Sequence, residues 1–125
     1  MGKVDMPSYL LATREDHIVP WTSAYLVRQI LGGESTFVLG ASGHIAGAIN
    51  PASKNRRSYW TSDSKASVPE EWLEAASEHK GSWWLHWIEW LKPRSGSMVA
   101  ARNKLGNAKY KVLEAAPGRY VKETA

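Results

Sequence analysis

Apolar and polar positions alternate in short blocks along the first 47 residues, and the spacing differs between blocks. Ser8–Thr13 and Thr36–Gly40 are rich in strand-forming side chains and each precedes a polar turn, which predicts two buried strands. Between them, Trp21–Leu31 carries apolar residues at helical spacing behind Pro20, which suits a first helical turn. Gly32–Gly33 is expected to end this helix in the left-handed conformation. The two strands of such a strand–helix–strand unit should be parallel.

The second half of the chain predicts two further helices. Ser67 and Glu70 have the spacing of a capping box, so a helix is expected to run to about Ser77. Its inward positions should be Trp72, Ala75 and Ala76. A later helix, ended by Pro93, has apolar residues that recur along one face at Trp84, Trp87, Ile88 and Leu91. Trp83 and Trp90 lie off that face, so the helix could be covered on two sides, and core packing is the expected role of its tryptophans. We therefore expect α/β architecture over residues 1–94.

Residues 95–125 lack strong periodicity and are expected to form an irregular tail that packs on the preceding part. The tail is basic: residues 92–125 carry 8 Lys/Arg and 2 Asp/Glu, against 8 and 10 in residues 1–91. A basic tail can attract polyanions, although a solvated tail is the simpler interpretation. Regular aromatic interleaving of the kind that binds single-stranded nucleic acid is missing from it, so no nucleic-acid partner is expected.

The polar turns after the two strands carry the candidate chemistry. Asp16 follows the first strand, and His44 follows the second within a glycine-rich turn. Because parallel strands end at the same edge of a sheet, Asp16 and His44 are expected to meet there. A carboxylate paired with a histidine fixes the imidazole tautomer, so that the other ring nitrogen can take a proton from a nucleophile. The order acid-then-histidine is that of the α/β-hydrolases.

The nucleophile of such a site is missing from the sequence, which has neither a Gly-x-Ser-x-Gly elbow nor any cysteine. Several sequence segments nevertheless resemble the carboxyl-terminal part of class I polyhydroxyalkanoate synthases, and the resemblance runs from about Val4 to the end of the chain. The segments that show the resemblance are Arg14-Glu-Asp-His-Ile-Val-Pro-Trp21, Phe37-Val-Leu-Gly-Ala-Ser-Gly-His-Ile-Ala-Gly47, Gly81-Ser-Trp-Trp84, Leu105-Gly-Asn-Ala108 and Pro117-Gly-Arg-Tyr-Val-Lys122.

The resemblance implies the carboxyl-terminal part of an α/β-hydrolase fold, with an incomplete parallel sheet and packed helices. It implies a Cys-His-Asp triad in which Asp16 and His44 match the acid and the base, and the cysteine lies upstream of Met1. The implied reaction polymerises (R)-3-hydroxyacyl-CoA, with a leaning to 3-hydroxybutyryl-CoA, into polyester and releases CoA. The CoA thioester is the substrate, and neither a cofactor nor a metal is implied.

The same resemblance implies that this chain is a fragment of a longer, dimeric enzyme found in the cytoplasm on polyester granules. The absence of cysteine excludes disulfides within the chain and agrees with a cytosolic protein. No apolar run is long enough to span a bilayer. With only two predicted strands, the isolated chain should expose a strand edge and be marginally stable or prone to aggregate.

Several alternatives stay open at this point. The chain could be an inactive remnant that binds a partner or a granule surface through its seven tryptophans and its basic tail. It could be a metal hydrolase built on His17, Asp16 and His44, a weaker hypothesis because no His-Glu-x-x-His helix exists. Otherwise His17 is a structural residue or touches substrate. The basic cluster Lys54–Arg57 could bind CoA phosphates or be a solvated turn.

Overall fold

The computed structural model describes residues 2–124, which divide into two compact units, one up to residue 95 and one from residue 96 onwards. The first unit contains four strands, β1 (Ser8–Thr13), β2 (Ser35–Gly40), β3 (Ser58–Thr61) and β4 (Ser77–Lys80). Its α-helices are α1 (Trp21–Tyr25), α2 (Pro69–Glu74) and α3 (Trp83–Leu91), and short 3-10 turns cover Leu26–Gln29 and Lys92–Arg94. In the second unit, the described residues form one 3-10 turn, Tyr120–Lys122, and are otherwise irregular.

The strands form one sheet in the order β1-β2-β3-β4. β1 and β2 are parallel, as predicted, with Ser8 opposite Ser35 and Thr13 opposite Gly40. β3 runs antiparallel to β2, and β4 runs antiparallel to β3. The expectation of two strands in a parallel sheet is therefore wrong in part, because the described sheet is mixed and four-stranded. The α/β class itself is confirmed.

The predicted helix over residues 67–77 is too long and begins differently. Helix α2 starts behind Val68 with Pro69 in its first turn, and no side chain caps it, so the expected capping box of Ser67 and Glu70 does not form. The chain leaves the helix after Glu74 and enters β4 at Ser77. A proline in the first turn needs no N–H partner and has a helical φ already, so the helix starts without a side-chain cap.

The turn after α1 also differs from expectation. Helix α1 gives way to a 3-10 turn, and neither Gly32 nor Gly33 has a left-handed φ. Both glycine N–H groups donate instead to the carbonyl oxygen of Val4, at 2.9 and 3.1 Å. A Cβ at Gly33 would lie 2.6 Å from the carbonyl oxygen of Met6. These glycines are needed because the amino-terminal backbone passes so close.

One face of the sheet forms the core with α1 and α2. Tyr25, Phe37 and Trp72 are almost fully buried there, and their rings meet edge to face, with centroids 5.0 Å apart for Tyr25–Phe37 and 4.9 Å for Phe37–Trp72. Trp72 points inward as predicted, and Ala76 packs on the core, but Ala75 is exposed.

Helix α3 covers the other face of the sheet, through a different stripe from the predicted one. Its contacts with Tyr9 of β1 come from Trp83, His86 and Trp90, with ring centroids 6.3, 5.7 and 5.5 Å away. Two members of the predicted inward stripe, Trp87 and Ile88, are 38% and 39% exposed. The helix is apolar almost all round, so spacing alone did not identify the side that would meet an aromatic partner on β1.

Candidate catalytic site

The site lies where the turns after β1 and β2 run side by side. The β1–β2 pairing continues past the strand ends, since Arg14 N–H donates to Gly40 O at 2.8 Å and Glu15 N–H donates to Ser42 O at 3.0 Å. These bonds hold the two turns together at the carboxyl edge of the parallel pair, which is where open α/β sheets place their sites.

Asp16 is fixed by the backbone that follows it. Its Oδ1 accepts hydrogen bonds from the N–H groups of Ile18, at 2.8 Å, and Val19, at 2.9 Å. Its Oδ2 lies 2.9 Å from Nδ1 of His44, and the side chain is only 10% exposed. The Val19 N–H, followed by the His44 bond, lowers the pKa of Asp16 well below its usual range, although partial burial works in the opposite direction. Asp16 is therefore a carboxylate at neutral pH.

His44 meets this carboxylate through Nδ1 and is otherwise accessible, with 44% of its side chain exposed. An ionised carboxylate only accepts hydrogen bonds, so Nδ1 carries the proton and Nε2 of the neutral ring is the acceptor. None of the described residues hydrogen-bonds to Nε2. The predicted meeting of Asp16 and His44 is thus observed, with the geometry that lets a histidine act as a general base.

The turn that holds His44 has an unusual backbone. Ser42 has a φ of 77°, in the left-handed region that few non-glycine residues adopt. Two hydrogen bonds close the turn, from Gly47 N–H to Gly43 O and from Ile49 N–H to Ile45 O, both 2.8 Å. Such a strained turn persists only when its surroundings hold it in place.

The sequences of known proteins match this chain along all or nearly all of its length. It is 52% identical over 125 residues to the poly(3-hydroxyalkanoate) polymerase subunit PhaC of Cupriavidus necator, and covers 21% of that protein. It is 48% identical over 120 residues to the PhaC subunit of Rhizobium etli, covering 19% of it. Poly(3-hydroxyalkanoate) polymerase 2 of Ectopseudomonas oleovorans is 44% identical over 121 residues, 22% of its length. No family model matches the sequence.

The chain is a homologue of the poly(3-hydroxyalkanoate) polymerases.

The chain spans about a fifth of the length of the curated poly(3-hydroxyalkanoate) polymerases that it matches. These identities confirm the resemblance to polyhydroxyalkanoate synthases that was inferred from the sequence segments. Asp16 and His44 both lie inside the part that matches the PhaC subunit of Cupriavidus necator, because that match covers the whole chain.

The metal-hydrolase hypothesis finds no support in this polymerase homologue. His17 is exposed, and no hydrogen bond joins it to another described residue, even though it adjoins Asp16 in sequence. Within residues 2–124, no group of three or more His, Asp or Glu side chains could hold a metal ion. A metal hydrolase site on His17, Asp16 and His44 is not formed by this geometry.

Basic residues lie at the same sheet edge as Asp16 and His44. The loop before β3 carries Lys54, Arg56 and Arg57, all exposed, and β3 begins next to β2 because Ala41 N–H donates to Ser58 O at 3.0 Å. Arg14 lies over the ring of Trp60, with its guanidinium carbon 4.9 Å from the centroid. This placement is compatible with either of the two interpretations of the basic cluster, a phosphate contact or a solvated turn.

Two clefts of the first unit lie away from this edge. The larger, of about 700 Å³, lies beside the amino-terminal end of β2 between Arg28, Glu34 and Lys65. The smaller, of about 360 Å³, is lined by Thr36, His79 and His86 among others. Neither cleft is lined by Asp16 or His44.

Sequence reasoning missed the residues that hold the His44 turn from behind. Trp83 and Trp84 were expected to be packing residues. The structure shows that their indole N–H groups donate to Gly47 O and Ala48 O, each at 3.0 Å. The segment Gly81-Ser-Trp-Trp84 was noticed in the sequence for its family resemblance. Nothing in its spacing indicates a hydrogen bond to a turn 36 residues upstream.

Proposed function

We propose that this chain supplies the acid–base pair of a poly(3-hydroxyalkanoate) polymerase, with His44 as the general base and Asp16 as its carboxylate partner. The observation that carries the proposal is the 2.9 Å contact between His44 Nδ1 and Asp16 Oδ2, made by turns that follow two parallel strands. Homology to the polymerases supports it. The order of strand, acid turn, helix, strand and histidine turn supports an α/β-hydrolase-like domain as its setting.

In the proposed reaction, Nε2 of His44 removes the proton from a cysteine thiol. The thiolate attacks the carbonyl carbon of a 3-hydroxyacyl-CoA thioester, the acyl–sulfur bond to CoA breaks, and CoA leaves as the thiol after taking up a proton. The 3-hydroxyl of a further unit then attacks the acyl-cysteine, and ester formation frees the thiol again. Asp16 stabilises the imidazolium that forms at each proton transfer, and assists in activating the hydroxyl.

The proposal requires a nucleophile that this chain does not contain, since its sequence has no cysteine. The cysteine would lie in polymerase sequence outside these 125 residues, and the chain would correspond to the carboxyl-terminal part of that enzyme. We further propose a short-chain substrate such as 3-hydroxybutyryl-CoA, a dimeric full enzyme and a cytoplasmic location on polyester granules. None of the helices within residues 2–124 is long and apolar enough to cross a membrane.

The test is a chimera in which this chain replaces the matching part of the Cupriavidus necator PhaC subunit. We expect the chimera to release CoA from 3-hydroxybutyryl-CoA and to form polymer. His44→Gln and Asp16→Asn should each lower the turnover rate about a hundredfold or more, which is the usual contribution of general acid–base catalysis. His17→Gln, in the same turn as Asp16 but exposed, is the matched control and should retain turnover. Near-normal turnover in His44→Gln or Asp16→Asn would contradict the proposal.

A second candidate function is supported by the outer face of α3. Leu85, Trp87 and Ile88 are 45%, 38% and 39% exposed, and such a patch can bind an apolar surface. On this hypothesis the chain is an inactive remnant that attaches to a partner or to polyester granules. Retention of the 125-residue chain on granules, together with a chimera that releases no CoA, would favour this second function over the first.

A further inference from the structure

The turn that carries His44 is held from outside by the start of helix α3. Three consecutive residues, Ser82, Trp83 and Trp84, each donate a side-chain hydrogen bond to a backbone carbonyl of the segment that leaves the turn. Trp83 Nε1 donates to Gly47 O and Trp84 Nε1 donates to Ala48 O, each at 3.0 Å. Ser82 Oγ donates to Asn50 O and also accepts from Trp84 N–H, at 3.1 Å, which caps the helix.

These bonds matter because several side chains of the turn have little cover. Ile45 and Ile49 are 70% and 63% exposed, and His44 is itself nearly half exposed. The φ of Ser42 is strained, so the turn needs external contacts to keep one conformation. An indole N–H is a donor only, and replacing it leaves a carbonyl that the ring still shields from water.

The sheet holds the ring of Trp83 in place. The ring of Trp83 stacks on Tyr9 of β1, with centroids 6.3 Å apart and planes 28° apart. Tyr9 OH lies 2.9 Å from Nδ1 of His86, one turn further along α3. Tyr9 and Asp16 belong to the same strand-and-turn segment, so α3 ties the turn of His44 to the segment that carries Asp16.

We propose that Trp83 and Trp84 are positioning residues that hold His44 in register with Asp16 through their indole N–H groups. The proposal rests on the catalytic role proposed above for the Asp16–His44 pair. Its physical basis is that displacements of about 1 Å at a reacting group can lower a rate about a hundredfold. Losing one indole donor should displace the turn by less than this, because the other indole and Ser82 Oγ still hold the segment.

The first test uses the 125-residue chain and needs no catalysis. In NMR spectra, the indole protons of Trp83 and Trp84 should exchange with solvent more slowly than that of Trp87, which makes no hydrogen bond to a described residue. Trp83→Phe and Trp84→Phe should each move the imidazole resonances of His44, whereas Glu89→Gln, on the exposed side of the same helix, should not. If the His44 resonances do not move in either Trp83→Phe or Trp84→Phe, the proposal is wrong.

The second test measures the consequence in the polymerase chimera. Trp83→Phe and Trp84→Phe should each lower kcat about fivefold to tenfold with KM changed less than about twofold, because a displaced base slows the chemistry and leaves substrate binding intact. Glu89→Gln, an exposed change on the same helix, should change neither. If Asp16→Asn abolishes turnover but Trp83→Phe and Trp84→Phe behave like Glu89→Gln, the positioning role is wrong and the proposed function stands. If Asp16→Asn keeps turnover, the proposed function itself fails.

Discussion

Nδ1 of His44 lies 2.9 Å from Oδ2 of Asp16, although the two residues are 28 positions apart in the chain. They meet because β1 and β2 are parallel and in register, so that the turns after Thr13 and Gly40 leave the sheet together. Three neighbouring N–H donors, those of Ile18, Val19 and His44, then converge on one carboxylate. The histidine is thereby oriented through Nδ1, and its second nitrogen makes no hydrogen bond to a described residue.

The first prediction concerns the pH dependence of stability. The pKa of Asp16 is lowered in the folded chain from an ordinary value of 3.8, so its charged form favours folding. That contribution is fully present above the ordinary value and is lost as the pH falls through the lower folded pKa. Wild type should therefore exceed Asp16→Asn in unfolding free energy at neutral pH, and the gap should narrow below about pH 4.

Urea unfolding of both chains over a series of pH values measures this gap. Glu15→Gln, which removes the neighbouring exposed carboxylate, is the control and should show no comparable loss at neutral pH. If the difference in unfolding free energy between wild type and Asp16→Asn widens as the pH falls, the predicted direction of the pH dependence is wrong.

A second prediction concerns Gly47, which closes the turn of His44. A Cβ at this position would lie 2.6 Å from Thr13 Cγ2 and 2.7 Å from Ala41 O, and the carbonyl belongs to backbone that cannot rotate away. Gly47→Ala should lower the unfolding free energy by about 1–3 kcal/mol, the usual cost of overpacking, and reduce turnover in the chimera. Gly43→Ala is the matched control, since its Cβ would lie 3.4 Å from the nearest atom. Equal stability of the two variants in thermal unfolding would refute the close-approach argument.

Asp16 and His44 could be paired from sequence because that inference needs only local information. Each follows an apolar run of strand length, and the intervening segment is long enough for a helical crossover, which fixes parallel strands. The backbone donors around Asp16 were not predictable in the same way, since they depend on how Ile18 and Val19 turn after it.

The missed elements depend on partners far away in the chain. β4 has the sequence Ser-Glu-His-Lys, is exposed throughout and shows no apolar alternation, so only its pairing with β3 makes it a strand. The inward face of α3 is selected by Tyr9, a residue 77 positions from its partner His86. A helix with aromatic residues on every side gives no local signal for such a choice.

A third prediction concerns Trp72 in the core. Its ring is fully buried against Tyr25 and Phe37, but its Nε1 has no hydrogen-bond partner among the described residues. Trp72→Ala should cost about 3–5 kcal/mol of unfolding free energy. Trp72→Phe should cost less than half as much, because it keeps an aromatic ring and removes a buried donor whose isolation costs about 1–3 kcal/mol.

Denaturant unfolding of these two variants, with the exposed change Glu89→Gln as a surface control, checks the expectation. Glu89→Gln should stay within about 0.5 kcal/mol of wild type. If Trp72→Phe is as damaging as Trp72→Ala, the indole nitrogen has a stabilising partner and the argument from its isolation is wrong.

The last prediction concerns the free edge of β1, which is the outer strand of the described sheet. The N–H groups of Ser8 and Arg14 donate to the chain next to them, at Glu34 O and Gly40 O, so by the strand period Leu10 N–H faces β2 and Leu11 N–H faces outward. An outward row of unpaired N–H and C=O groups is a template for pairing with another chain. The isolated chain should therefore associate as its concentration rises.

Proline substitutions test the outward edge of β1 separately from the edge that pairs with β2, because proline has no N–H. Leu11→Pro should reduce association more than Leu11→Ala, which removes the same side chain but keeps the N–H. Leu10→Pro should instead unfold the chain, since it breaks a bond within the sheet. Sedimentation velocity over a range of concentrations distinguishes these outcomes. A wild-type chain that stays monomeric throughout, or equal association of Leu11→Pro and Leu11→Ala, would mean that the edge of β1 does not drive assembly.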